Sequence, residues 1–257
     1  MNVLCVGDVV GTVGCDFLRR HLPSLKKLKN IDAVIVNGEN SADSNGITRQ
    51  CADHILTSGA DCITTGNHSF QRQDSFDMYD DETLPIVRPA NYPEGVPGRG
   101  MEILDFGRRQ LAVINLMGIV TMREPLCCPF KTADALIAQC RTPFIIVDFH
   151  AEATSEKRAL AEYLDGRVSA VFGTHTHVQT ADEQILAGGT GFITDVGMTG
   201  PVNSVIGMKP EVAIHRFTTH LPFRNVYADG PCMINAVLFE LDDTTGKTLS
   251  VERIIIK

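Results

Sequence analysis

The sequence contains no tryptophan, no excess of basic residues and no apolar run long enough to cross a membrane. A membrane-spanning helix needs about 20 consecutive apolar residues, so the chain is not expected to contact a membrane in this way. The formal net charge is −8. Tight non-specific binding to nucleic acid requires clustered Lys and Arg, so this balance disfavours a nucleic-acid scaffold. It is compatible with a small anionic substrate, because bound divalent cations would reverse the local charge.

Several nucleotide-binding and redox motifs are also absent. The early glycines lack the G-x-G-x-x-G spacing of a dinucleotide site, and neither a P-loop nor a G-x-S-x-G nucleophile elbow is present. The eight cysteines include no C-x-x-C pair, which disfavours a thiolate zinc site. We expect mostly buried, reduced thiols in a cytoplasmic protein, since Met1 leads straight into a strand pattern without a targeting segment.

Strand-like and helix-like segments alternate along the first two-thirds of the chain. The spacing of apolar residues predicts helices over 16–28, 132–140 and 155–164, with a short helical piece at 76–79. Thr48 is placed to cap a further helix that stops at Gly59. Two hairpins are predicted, over 101–116 and over 233–256. This mixture predicts an α/β fold in which two sheets pack together with helices outside, as one domain over residues 1–257.

Polar clusters follow five of the apolar, strand-like runs. The clusters are Gly7-Asp8, Asn37-Gly38-Glu39-Asn40, Gly66-Asn67-His68, Asp148-Phe149-His150 and Gly173-Thr174-His175-Thr176-His177. Ligand sites in open α/β sheets lie outside the carboxyl ends of the strands. Carboxylate, amide and imidazole groups gathered at one sheet edge are typical of a metal site.

The candidate ligands are too many for one tetrahedral ion. They are Asp8, Glu39, Asn40, Asn67, His150, His175 and His177. Such a set fits two ions roughly 3.5–4 Å apart that share a carboxylate, an arrangement used for displacement at phosphorus. A metal-bridging hydroxide would then be the nucleophile, and the ions would neutralise charge on the phosphoryl oxygens. The donors suit Zn, Fe, Mn or Mg, so the ligand types alone leave the metal open.

His68 directly follows Asn67 and cannot point the same way if Asn67 is a ligand. An imidazole with a pKa near neutrality is suited to protonate a leaving oxygen, so His68 is the predicted proton donor, with a structural histidine as the alternative. Asp148 is interpreted either as a ligand or histidine-orienting carboxylate, or as a strand residue satisfied by backbone donors, and the same alternatives hold for Glu152. Asp195 is expected to cap a loop. Ordinary surface or core roles are expected for His21, His54, His215 and His220.

With these residues assembled, the chain resembles the calcineurin-like metallophosphoesterases, and within them the bacterial YmdB-like family. The resemblance runs nearly end to end and is carried by five long blocks of the chain. They are Gly7 to Gly11, Asn37 to Asn40, Thr65 to His68, Asp148 to Lys157 and Gly173 to Thr180, with Arg88 to Pro93 and Thr194 to Pro201 extending the match. Two departures from the wider superfamily, Val10 in place of a histidine and Glu39 in place of an aspartate, are typical of the YmdB-like branch.

The resemblance implies a four-layer αββα sandwich with a di-metal centre of iron or manganese. Glu39 would bridge the ions. Asp8, Asn40 and His177 would complete one ion, and Asn67, His150 and His175 the other. His68 would be the proton donor in the hydrolysis of phosphodiesters, notably 2′,3′-cyclic nucleotides. The family also tends to form homo-oligomers.

Two other functions are compatible with the same residues. A phosphomonoesterase or nucleotidase would need a basic side chain near the metals, for which Arg72 and Lys209 are candidates. A non-catalytic regulator would use the metal centre as a scaffold for a protein or RNA partner, although the acidic balance disfavours RNA.

Overall fold

The architecture was analysed in a computed structural model that describes residues 1–43 and 45–257. The strands are β1 Asn2–Val6, β2 Asp8–Val9, β3 Ala33–Asn37, β4 Cys62–Thr64, β5 Met101–Asp105, β6 Gln110–Met117, β7 Ile145–His150, β8 Ala170–Thr174, β9 Gln184–Ile185, β10 Gly191–Ile193, β11 Met198–Pro201, β12 Cys232–Leu241 and β13 Thr248–Ile256. The helices are α1 Gly11–Leu28, α2 Arg49–Thr57, α3 Phe76–Tyr79, α4 Pro129–Ile137, α5 Thr154–Leu164 and α6 Pro210–Thr219.

The strands form two mixed sheets. The first has the order β2-β11-β12-β1-β3-β4, with β13 along the other side of β12. Within it β1, β3 and β4 run parallel, and β12 runs antiparallel to β1. The second sheet has the order β5-β6-β7-β8-β10-β9, in which β6, β7, β8 and β10 are parallel. Both predicted hairpins are present, as β5–β6 and β12–β13.

Three apolar layers separate four structural layers. Successive side chains of a strand point to opposite faces, and β1 shows the result. Val3 and Cys5 pack between the two sheets, whereas Leu4 and Val6 pack against α1 and α2. On its outer face the second sheet packs against α4 and α5 through a separate cluster that includes Leu160. The predicted αββα sandwich is therefore confirmed.

Element boundaries differ from the predictions where apolar spacing is uninformative. Helix α1 begins at Gly11, five residues before the predicted start, because its first turn is built from small residues. A Cβ at Gly14 would lie 2.5 Å from the Thr199 carbonyl oxygen, so the helix contacts β11 through glycine. Helix α4 begins at Pro129, which is favoured in a first helical turn. The Thr48 cap is confirmed, since its hydroxyl accepts a hydrogen bond from the Cys51 amide.

The cysteines are free thiols throughout. Four are buried, but the adjacent Cys127 and Cys128 are exposed, contrary to the expectation that most would be inside. Among the described residues, no helix is both long and apolar enough to span a membrane.

Candidate metal centre

The carboxyl ends of β1, β3 and β4 from one sheet meet those of β7 and β8 from the other. The residues that follow these strands line a cavity of about 420 Å³, with Glu39, His68, His175 and His177 in its wall. Parallel strands of one sheet end at a common edge, and the two sheets bring these edges together, so five segments that are distant in sequence meet here.

Glu39 lies at the middle of the cluster and is 1% exposed. Its Oε1 lies 3.2 Å from His150 Nε2 and 3.1 Å from Asn40 Nδ2. The same oxygen lies 3.0 Å from His68 Nδ1 without hydrogen-bond geometry, and Oε2 accepts from the His68 backbone amide at 3.0 Å. One carboxylate therefore faces side chains from both halves of the candidate ligand set.

His150 closes β7 and is completely buried. Its Nδ1 lies 2.9 Å from the Thr174 hydroxyl oxygen, and that hydroxyl in turn donates to Asp148 at 2.7 Å. Because the Thr174 hydrogen is committed to Asp148, the His150 Nδ1–H is the donor of the pair. Nε2 is then left facing the Glu39 carboxylate and, at 2.9 Å, the side-chain amide oxygen Oδ1 of Asn67.

His175 and His177 are oriented in the same manner by partners on their outer nitrogens. His175 Nε2 lies 3.1 Å from the Glu152 carboxylate, which leaves Nδ1 facing His150 Nε2 at 3.1 Å. His177 Nδ1 donates to the Ile206 carbonyl at 2.9 Å, which leaves Nε2 facing the cluster. A partner on the remote ring nitrogen is what fixes the tautomer of a metal-binding histidine.

Asp8 contributes a buried carboxylate with an unused oxygen. Oδ2 accepts from the His175 backbone amide at 3.2 Å. Oδ1 is buried without a hydrogen-bond partner, and the nearest imidazole nitrogen, His177 Nε2, is 3.5 Å away. A buried, unpaired carboxylate oxygen is costly unless a cation or donor satisfies it.

Two histidines adopt backbone conformations that are rare for residues other than glycine. The φ angle is 102° at His175 and 64° at His177. Side chains with a Cβ are strained in this region, and such strain concentrates at functional sites. The tight loop turns both rings toward Asp8 and Glu39.

The ring of His150 also requires a glycine beside it. A Cβ at Gly66 would lie 2.2 Å from His150 Cδ2, so only glycine permits the β4 end to approach. This approach brings Asn67, the next residue, within 2.9 Å of the same imidazole.

The charges in the cluster shift the pKa values of its members. Burial raises the pKa of the Glu39 carboxyl, but the neighbouring His150 and His68 lower it by more, to well below its usual range. Burial likewise raises the pKa of the Asp8 carboxyl, but His177 and His150 together lower it by more, so the net shift is downward. Burial lowers the pKa of His150, but Glu39 raises it to about 9. Burial and then His150 lower the pKa of His175 to about 3, which keeps that imidazole neutral.

These residues fit bound cations. Glu39, His150 and His175 offer ligand atoms that all lie within 4.8 Å of one another. The anionic carboxylates demand positive charge at the centre, and the neutral imidazole of His175 offers the form that binds metals. The unpaired Asp8 oxygen marks a further position where a cation would satisfy a buried charge.

Asp148 orients His150, as one of its sequence interpretations had it, but through the Thr174 hydroxyl and not by direct contact. It accepts hydrogen bonds from the side chains of Thr64, Thr174 and Asn37 rather than from backbone donors. It reaches His150 only through Thr174, and burial raises its pKa to about 7. Sequence reasoning missed these three donors, although each stands at the end of a strand that delivers a candidate ligand.

Asp195 also does more than the sequence indicated. It caps a loop as expected, accepting from the Gly197 amide at 2.8 Å. Its other oxygen forms a buried ion pair with Lys157 of α5 at 2.7 Å. That oxygen also accepts from the Thr176 amide at 3.1 Å, which ties the loop between His175 and His177 to the core.

The remaining candidates lie elsewhere. Arg72 pairs with Asp74 and Lys209 with Asp229, and neither lines the cavity. The basic side chain in its wall is instead Arg216 of α6, which sequence reasoning did not select. The cluster does not include the four other histidines, which are His21, His54, His215 and His220.

Comparison with known proteins identifies a family for this chain. The model of the YmdB-like protein family matches residues 4–254. The chain belongs to the YmdB-like family. The 2′,3′-cyclic-nucleotide 2′-phosphodiesterase of Bacillus subtilis strain 168 is 50% identical to this YmdB-like protein over 259 residues, covering 100% of this chain and 97% of the relative.

Two solved structures share the whole fold of this YmdB-like protein. A hypothetical protein of Thermus thermophilus is 38% identical with a TM-score of 0.93, covering 100% of this chain and 99% of the other. A Mycoplasma pneumoniae phosphatase is 35% identical with a TM-score of 0.93, covering 100% and 93%. The resemblance noted in the sequence is therefore confirmed at the level of family and fold.

Proposed function

We propose that this chain hydrolyses the phosphodiester of 2′,3′-cyclic nucleotides and similar small substrates at a centre of two metal ions. Family membership and 50% identity to a phosphodiesterase over the full chain make it a phosphoric diester hydrolase. The proposal concerns its substrate, its ions and the roles of its residues. One observation supports it most. Three histidines each have their outer nitrogen held. The inner nitrogens of His150 and His177 face Glu39 and Asp8, and that of His175 faces His150 in the same cluster.

The proposed ligand set follows the two halves of the cluster. Glu39 would be shared by the two ions, because its carboxylate faces both His150 and Asn40. One ion would be held by Asp8, Asn40 and His177, and the other by Asn67, His150 and His175. The resemblance to the family implies iron or manganese, and the carboxylate, amide and imidazole donors accept either ion.

When bound, such ions polarise the phosphoryl oxygens and lower the pKa of a water that serves as the nucleophile. The chain's own residues then orient the substrate and deliver a proton. As the new P–O bond forms, the bond from phosphorus to the ribose 2′ oxygen breaks, and that oxygen needs a proton. His68 lies in the cavity wall, and its Nδ1 is buried against Glu39, which leaves Nε2 to protonate the leaving oxygen.

Replacing His68 with alanine is expected to separate proton transfer from metal binding. Turnover of 2′,3′-cyclic AMP should fall by about 10²-fold, since general acid catalysis contributes in this range. Turnover of bis-p-nitrophenyl phosphate, whose leaving group needs no proton, should fall far less. Metal content should stay at the wild-type value, and His21→Ala is the matched control. Loss of metal from His68→Ala would identify His68 as a ligand instead.

A side-by-side assay of diesters and monoesters tests the substrate class. We expect 2′,3′-cyclic AMP to be hydrolysed and 3′-AMP to be left intact, since the relative that is 50% identical is named as a 2′,3′-cyclic-nucleotide 2′-phosphodiesterase. The alternative is a monoesterase that uses Arg216, the basic side chain in the cavity wall. Faster release of phosphate from 3′-AMP than ring opening would favour a nucleotidase. No turnover of any phosphoester by metal-replete protein would refute the proposal.

A further inference from the structure

A second cavity, of about 560 Å³, adjoins the metal centre along α6. The two cavities share Ile206, Met208 and Arg216, so these three residues form the boundary between them. We refer to the second cavity as the α6 groove. Its remaining lining consists of Ala213, Phe217, His220, Leu221 and Pro222.

The lining of the α6 groove carries the positive charge of Arg216 in a chain whose formal net charge is −8. None of the described residues that line the groove is acidic, whereas Glu39 and Glu152 line the metal cavity. The groove is therefore complementary to an anion that extends away from the metals.

Arg216 is positioned to meet such an anion. Its guanidinium donates to the side-chain amide oxygen Oδ1 of Asn225 at 2.7 Å. Among the described residues, no carboxylate forms an ion pair with the Arg216 guanidinium. Asn225 is in turn held by Asn45, which bonds the Tyr227 hydroxyl at 2.9 Å. A neutral tether orients the guanidinium while leaving its charge uncompensated, which suits a phosphate.

Apolar side chains in the groove are exposed to an unusual degree. Phe217 is 76% exposed and Leu221 is 60% exposed. Aromatic side chains beside a basic groove are the features on which single-stranded nucleic acids stack, largely without regard to sequence.

Resting on the function proposed above, we propose that the α6 groove binds the nucleotide that precedes a terminal 2′,3′-cyclic phosphate. The preferred substrates are then short single-stranded oligoribonucleotides with that end. A cyclic phosphate occupies the 2′ and 3′ oxygens, so the rest of such a strand leaves through the 5′ oxygen. Arg216 binds the linking phosphate where the two cavities meet, and the preceding base stacks on Phe217.

Kinetics with one and two nucleotides test this inference. The value of kcat/KM for adenylyl-adenosine with a 2′,3′-cyclic phosphate end should exceed that for 2′,3′-cyclic AMP by about tenfold, in line with the contribution of one stacked base. The excess should shrink as salt concentration rises. Phe217→Ala should bring the ratio close to one. Ile214→Ala, which truncates an exposed apolar residue of α6 that lines neither cavity, should preserve it.

A binding measurement keeps this test separate from catalysis. Fluorescence anisotropy with a 5′-fluorescein triadenylate, on chelator-treated protein, should give a dissociation constant about tenfold weaker for Phe217→Ala than for wild type. If the triadenylate binds in a manner that depends on Phe217 but no phosphodiester is hydrolysed, the groove is supported and the proposed function fails. A ratio of one in wild type that hydrolyses 2′,3′-cyclic AMP would refute the groove alone. The groove would also be refuted if Phe217→Ala dissociated an oligomer and left the ratio of the two kcat/KM values unchanged. That result would make this face an interface between copies of the chain.

Discussion

Replacing Glu39 with glutamine is expected to lower kcat/KM for 2′,3′-cyclic AMP by about 10³-fold and to remove at least one of the two proposed ions. Metal ions contribute several kcal/mol of transition-state stabilisation, and the bridging carboxylate would hold both. Glutamine preserves the size of the side chain but removes the anion that raises the pKa of His150. Steady-state kinetics and elemental analysis of the same preparation measure the two effects together.

Glu252→Gln is the matched control, because Glu252 is an exposed carboxylate that pairs with Lys29 on the outside of the fold. It should leave activity and metal content at wild-type values. If Glu39→Gln keeps both ions and full activity, the bridging role of Glu39 is wrong.

The second large effect concerns stability. Lys157→Met should lower the free energy of unfolding by about 3–5 kcal/mol, because it leaves the Asp195 carboxylate buried without its counter-charge. The two side chains of this pair are 1% and 0% exposed. Urea denaturation of the metal-free protein measures the loss directly. Weaker metal binding should accompany it, since Asp195 also anchors Thr176 in the histidine loop.

Arg158→Met serves as the control for Lys157→Met. Arg158 follows Lys157 on α5 and pairs with Glu162 on the surface, where an ion pair contributes at most about 1 kcal/mol. A loss below about 1 kcal/mol for Lys157→Met as well would show that Asp195 is satisfied without the lysine.

The arrangement of the candidate ligands followed from the sequence because it depends on local patterns. A buried strand appears as a short apolar run, and the polar residue after it lies at the sheet edge. Asp8, Glu39 and His150 could therefore be assigned to one edge from their positions in the chain. Their convergence needs parallel strands that end together within each sheet, and also the packing of the two sheets with these ends on the same side.

The residues that orient these ligands could not be predicted, because their partners are distant in the chain. Lys157 has the spacing of an ordinary residue of an amphipathic helix, and only the packing of α5 on the second sheet brings it to Asp195. Thr174 and Asn37 are small polar residues whose role depends on Asp148, which belongs to another strand. Hydrogen bonds between distant segments leave no periodic signal.

Helix α6 escaped prediction for a different reason. Its apolar residues do not form a single buried stripe, since Phe217 and Ile214 are exposed while Val212 and Ala213 are buried. A helix is recognised from its sequence by a face that matches the core. Where some apolar residues of a helix line a surface groove instead of packing against the core, the helix lacks a complete apolar face.

Titration of chelator-treated protein with Mn²⁺, followed by calorimetry, tests the central claim most directly. Side chains from the ends of five strands should together bind two ions per chain, and Asp8→Asn should reduce the number bound. Absence of binding, or a single weakly held ion that is insensitive to Asp8, would contradict a two-metal centre at this sheet edge.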